Sequence, residues 1–169
     1  MKKTLTLLLA PLMALALEVG SAPLHVTLEG DNGGRIDGSA WSSEMLQDKV
    51  HILFYVDPDE KDTNNALSDA LKAKAFDRGN YASVAIINMA ATWLPNFAIA
   101  SSLEAKQEKF PHTIYVKDLN KILVEKWEIA DDSSNVLLFD KSGKLIYLHE
   151  GKLEDDEINK VISLIEEHI

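Results

Sequence analysis

The segment Val50-His51-Ile52-Leu53-Phe54-Tyr55-Val56 is almost continuously apolar and stops at Asp57-Pro58. A half-exposed strand alternates apolar and polar residues. A continuous run is the pattern of a central strand covered on both faces. Behind it, from Asn64 to about Phe76, Leu67, Ala70, Leu71 and Ala75 recur at helical spacing. Asp77-Arg78-Gly79-Asn80 ends that helix, and Gly79 is expected to take the left-handed conformation that closes it. Tyr81 to Ile87 restarts as a second apolar strand. The order strand, helix, strand implies a right-handed βαβ unit with its two strands parallel.

The flanking segments add further elements. Leu24 to Leu28 alternates with period two and reads as an edge strand, Asp31-Asn32-Gly33-Gly34 as a turn, and Arg35-Ile36 as the start of a second short strand. Together these form an N-terminal hairpin. Ser42 to Leu46 reads as a helical turn. After Trp93-Leu94-Pro95-Asn96, a helix is expected from Phe97 to Lys109, with Pro111 beyond its end. Thr113 to Lys117 and Lys121 to Trp127 read as strands joined through Asp118-Leu119-Asn120, an inserted hairpin. A second hairpin joins Val136–Asp140 to Lys144–Leu148 through Lys141-Ser142-Gly143. The final helix, Glu154 to Ile169, carries Ile158, Val161, Ile162, Ile165 and Ile169 on one stripe. Glu154, Asp155, Asp156 and Glu157 stand at its positive end, and Leu153 with Ile158 forms a hydrophobic staple.

Met1-Lys2-Lys3 followed by the uncharged run Leu5 to Leu17 has the form of a secretory signal peptide, too short to cross a bilayer of about 20 helical residues. The leader is placed at residues 1–22, cleaved near Ser21 or Ala22, with Ala14-Leu15-Ala16 as an alternative site. Residues 23–169 then form one domain, expected in the periplasm. The absence of cysteine excludes a thiol nucleophile, a disulfide framework and thiolate metal sites. A net charge of −10 opposes binding to a polyphosphate backbone, so nucleic acid is an unfavoured partner.

The Lys49–Val56 segment resembles the Gly-Lys-Val strand of periplasmic thioredoxin-like proteins, and Phe139-Asp140-Lys141-Ser142-Gly143-Lys144 resembles their Asp-x-x-Gly-Lys hairpin. Ser101-Ser102-Leu103-Glu104, Phe110-Pro111 and Asp132-Ser133-Ser134-Asn135 through Asp140-Lys141 resemble the YtfJ family of small exported bacterial proteins. The resemblance covers roughly Leu24 to Ile165. It implies an α/β, thioredoxin-like fold: a central mixed β-sheet flanked by helices, with the N-terminal and inserted hairpins as additions. It also places Asp59 and Asp62 where a thioredoxin has its two cysteines, and Ser134 where it has the proline facing them. Thiol–disulfide exchange and cysteine-based peroxide reduction are thereby excluded.

The implied function is a non-redox binding or interaction module. Its candidate groove residues are Asp57, Asp59 and Asp62 on one side and Ser133, Ser134 and Asn135 on the other. The implied partner is a periplasmic protein, a peptide or a small polar ligand, with no membrane contact once the leader is removed and a monomer or weak dimer as the assembled state. The alternative is a thiol-independent enzyme or divalent-metal protein using the acidic loop Asp57–Asp62. That loop does not follow the EF-hand spacing, since Lys61 and Asp62 stand where Asp or Asn and then Gly belong. No elbow of the Gly-x-Ser-x-Gly type supports a serine nucleophile, and His25, His51, His112, His149 and His168 are scattered. No catalytic residue, metal or cofactor is assigned.

Overall fold

The computed structural model describes residues 17–92 and 95–169. Most of the predicted leader, and Trp93-Leu94 before the second long helix, lie outside the described residues. The apolar run forms β4 (Val50–Val56), which is paired on both sides. It lies parallel to β5 (Tyr81–Asn88) and antiparallel to β7 (Ser134–Phe139). β6 (Thr113–Asp118) extends the parallel side, and β8 (Leu145–Glu150) pairs antiparallel with β7 across the expected hairpin. With β2 (Gly33–Arg35) on β6, the order is β2-β6-β5-β4-β7-β8.

Side-chain alternation along β4 sends Leu53 and Tyr55 to one face and Ile52 and Phe54 to the other. On the first face they meet Trp41, Leu46, Leu123 and Trp127. On the second they pack under α1 (Asn65–Lys74) and α4 (Asp155–His168), through Leu67 and Leu71 of α1 and Ile158, Val161 and Ile165 of α4. A smaller cluster of Ile87, Ile99, Leu103 and Tyr115 lies under α2 (Asn96–Lys109). The start of α4 has the expected carboxylates, with Glu154 and Glu157 completing a reciprocal capping box. Among the described residues no helix is long and apolar enough to cross a membrane.

Three local expectations are corrected. The expected inserted hairpin is a strand followed by a helix, because Ile122–Trp127 forms α3. Both edges of β6 are already occupied, by β5 and β2, so no hairpin partner fits beside it. Asp118 starts the helix instead: its carboxylate accepts from the Ile122 N–H at 3.0 Å and the Leu123 N–H at 3.0 Å. Next, the N-terminal hairpin is split. β1 (Thr27–Leu28) pairs with β3 (Trp41–Ser42) as a separate ribbon, while β2 joins the main sheet. Gly33 permits that junction, since a Cβ there would lie 1.9 Å from the Lys117 carbonyl oxygen. Finally, α1 closes at Ala75, with φ of 49°, ahead of Gly79.

Candidate functional site

The three parallel strands end on buried polar residues: Asn88 closes β5, Asp118 closes β6, and Asp57 directly follows β4. Carboxyl ends of parallel strands are where open α/β sheets place ligands. Asp118 is fully buried and satisfied. Besides the start of α3, it accepts from the Tyr55 hydroxyl at 3.2 Å and the Asn120 N–H at 3.2 Å. It anchors structure. Burial and the Asp118 charge together push the Tyr55 phenol far up, so that hydroxyl stays protonated.

Asp57 begins the 3-10 turn Pro58–Glu60 and accepts from the Asp59 N–H at 2.8 Å. Its own N–H donates to the Ser133 carbonyl at 2.9 Å. Burial raises the Asp57 pKa, with the Asp59 and Asp132 charges adding to it. Beside them Asp131 behaves oppositely. It accepts from Lys121 Nζ and from the Asn88 side-chain amide at 2.8 Å, and the lysine bond holds its pKa down.

The structure therefore brings Asp57, Ser133 and Ser134 together but divides the other candidates. Ser134 is buried opposite Val56 and accepts from the Asn64 amide at 2.9 Å. Asn135 is buried beneath, donating to the Ala130 carbonyl at 2.8 Å. Asp59 and Asp62 turn outward. Asp59 accepts from the Thr92 hydroxyl at 3.3 Å. Asp62 pairs with Lys61 at 2.6 Å and Lys106 at 3.1 Å, contacts that hold it far below the usual carboxylate range. Among the described residues no three His, Asp or Glu side chains gather in a way that would hold a metal ion.

Next to this rim, Pro58 and Ser134 border a groove of about 460 Å³ between α1, α2 and the sheet. Its floor is apolar, drawn from Phe54, Val56, Ala85, Ile87, Leu103 and Tyr115. Its lining also includes five basic side chains, Lys61, Lys72, Arg78, Lys106 and Lys109. Lys61 and Lys106 share Asp62, and Lys109 pairs with Asp69 at 2.8 Å. Lys72 bonds the Lys109 carbonyl at 2.9 Å and lies over the Phe110 ring, and Arg78 lies over the Tyr81 ring. Neither Lys72 nor Arg78 has a carboxylate partner among the described ion pairs.

Sequence reasoning missed this groove. Its floor comes from residues of β4, β5, β6 and α2 that read as ordinary core, and its cations read as solvated helix faces. The strand-end set was within reach, since Asp57, Asn88 and Asp118 each interrupt an apolar run at the same sheet edge.

The family described as "Bacterial protein of unknown function (YtfJ_HI0045)" matches residues 26–168. The uncharacterized protein YtfJ of Escherichia coli is 27% identical, over 96% of this chain and 94% of that protein. An uncharacterized protein of Haemophilus influenzae is 31% identical, over 74% of this chain and 70% of that one. Among solved structures, an exposed lipoprotein thioredoxin from Streptococcus pneumoniae superposes with a TM-score of 0.58 at 15% identity, covering 85% of this chain and 98% of that one. At that identity the likeness establishes the thioredoxin-like fold alone.

Proposed function

From the premise that this chain belongs to the YtfJ family and has a thioredoxin-like fold without a cysteine, we propose that it is an exported, thiol-independent binding module for an amphipathic anion. The observation that carries this reading is the contrast between the groove and the rest of the chain. A protein of net charge −10 lines an apolar floor with five basic side chains against one carboxylate, Glu108, and two of the five have no carboxylate partner among the described ion pairs. Small-ligand clefts commonly measure about 300–1,000 Å³, lined mainly by apolar groups with a few polar ones that orient the ligand. Here the floor takes a hydrocarbon body, and Lys72 and Arg78, free of carboxylate partners among the described ion pairs, take the anionic head. A small polar ligand, a peptide or a protein surface would use this floor less completely.

Laurate is a suitable probe, with dodecanol as its uncharged counterpart. At about 100 times its dissociation constant, a ligand of the folded state stabilises it by about 2.7 kcal/mol. Laurate is expected to raise the melting temperature, dodecanol to do so less, and the double variant Lys72→Glu/Arg78→Glu to lose most of the laurate effect. Equal responses of wild type and double variant would remove the anionic head from the account. No response at all would remove the ligand class.

A second reading keeps the strand ends for acid–base chemistry. It is favoured by Asp57 and Asp131, two neighbouring carboxyls that their surroundings shift in opposite directions. Its test is hydrolysis of an ester or phosphoester panel: a rate abolished by Asp57→Asn would support it, and a rate unaffected by that change would end it.

A further inference from the structure

Residues 17–22 fall inside the predicted leader, yet several of them are built into the folded chain. The Leu17 N–H donates to the Trp127 carbonyl at 3.2 Å. The Gly20 N–H donates to the Leu145 carbonyl at 2.7 Å, and the Leu145 N–H donates to the Ser21 carbonyl at 2.8 Å. This segment therefore clasps the first residue of β8, whose side chain is fully buried. The Ser21 hydroxyl bonds back to the Glu18 carbonyl at 2.7 Å and closes a turn. The Leu17 side chain packs on the cluster that contains Trp127 and Leu145. Cleavage at Ser21 or Ala22 would strip all three backbone bonds from Trp127 and Leu145. Unpaired backbone groups at a buried position are costly, and native chains rarely leave them.

We propose that the leader ends at Ala16 and that the mature protein begins at Leu17. The sequence before this bond, Ala14-Leu15-Ala16, is the small-x-small pattern that a signal peptidase reads. The enzyme adds water across the Ala16–Leu17 amide: the Ala16 carbonyl carbon gains the hydroxyl and leaves as a carboxylate, and the Leu17 nitrogen takes the proton and becomes an ammonium. That nitrogen keeps N–H groups to donate to the Trp127 carbonyl, so cleavage here spares the clasp. This inference rests on the export reading above, but not on the groove or its ligand.

The test is the intact mass of the protein recovered from the periplasm of a Gram-negative host expressing the full chain. The expected species is Leu17–Ile169. A species beginning at Ala22 or Pro23 would overturn the cleavage position while leaving export standing. An uncleaved chain confined to the cytoplasm would overturn export and the cleavage proposal together. As a second arm, Ala16→Phe is expected to lower the mature share at least tenfold, whereas Ala22→Phe leaves the cleavage position unchanged. The reverse pattern would place the cut at Ala22 and overturn the proposal.

Discussion

Asp57 and Asp131 lie on one rim and oppose each other in their response to pH. Burial raises the folded-state pKa of Asp57 above its unfolded value, so the folded chain holds that proton longer. Its contribution to stability is greatest at acid pH and is lost as pH climbs through the interval just above the ordinary carboxylate range. Asp57→Asn keeps an oxygen to accept from the Asp59 N–H but cannot ionise. The difference in stability between variant and wild type, followed by urea unfolding, is therefore expected to shift in the variant's favour from pH 4 to pH 7. A constant difference would contradict the assigned cause. Asp131 has the opposite sign: the Lys121 bond depresses its pKa, so that stabilisation is present above the ordinary carboxylate range and fades as pH falls below it. Both partners are about one-third exposed, so Lys121→Met is expected to cost only about 0.5–1 kcal/mol at pH 7, and progressively less as pH falls below the ordinary carboxylate range. Asp118 is a different case. It is fully buried and accepts from four donors, so Asp118→Ala is expected to cost about 3 kcal/mol or more in urea unfolding, and a cost below about 1 kcal/mol would contradict its role as the start of α3.

Elements whose own periodicity matches their environment were legible in the sequence, and those set by distant partners were not. β4 is covered on both faces and reads so, and α1 and α4 each lay their apolar stripe against the same side of the sheet. α3 reads as a strand because Ile122, Leu123 and Val124 favour extended backbone when considered alone. What decides otherwise is Asp118, outside the helix it starts, together with a sheet that has no vacant edge at β6. In the same way, Gly33 looked like a turn residue, whereas it is the point where β2 passes against the Lys117 carbonyl. Gly33→Ala is expected to destabilise by about 2 kcal/mol or more, since the added carbon overlaps backbone that cannot swing aside. Gly30→Ala meets no atom within 4 Å and carries only the backbone cost of its φ of +53°, about 1 kcal/mol. Equal losses at the two positions in thermal unfolding would mean that β2 can move off β6 without penalty.

At the scale of the whole molecule, Asp57 meets Ser133 through its N–H and the Ser133 carbonyl while Asp59 and Asp62 turn outward, and the cavity bordered by Pro58 and Ser134 opens along α1 and α2. The absence of cysteine was readable at once from the sequence. The groove was not, because it depends on α2 lying across β5 and β6, with Leu103 and Tyr115 leaving room between them and α1. Its cations also run against the charge of the chain that carries them, so added salt is expected to weaken laurate binding while leaving dodecanol binding nearly unchanged. The most direct measurement is calorimetric titration of laurate into the wild-type protein and into Leu103→Trp, whose larger ring fills the floor. One laurate is expected to bind per wild-type chain, with at least tenfold weaker binding by a variant that still melts cooperatively. Equal binding by the two proteins, or none by the wild type, would contradict it.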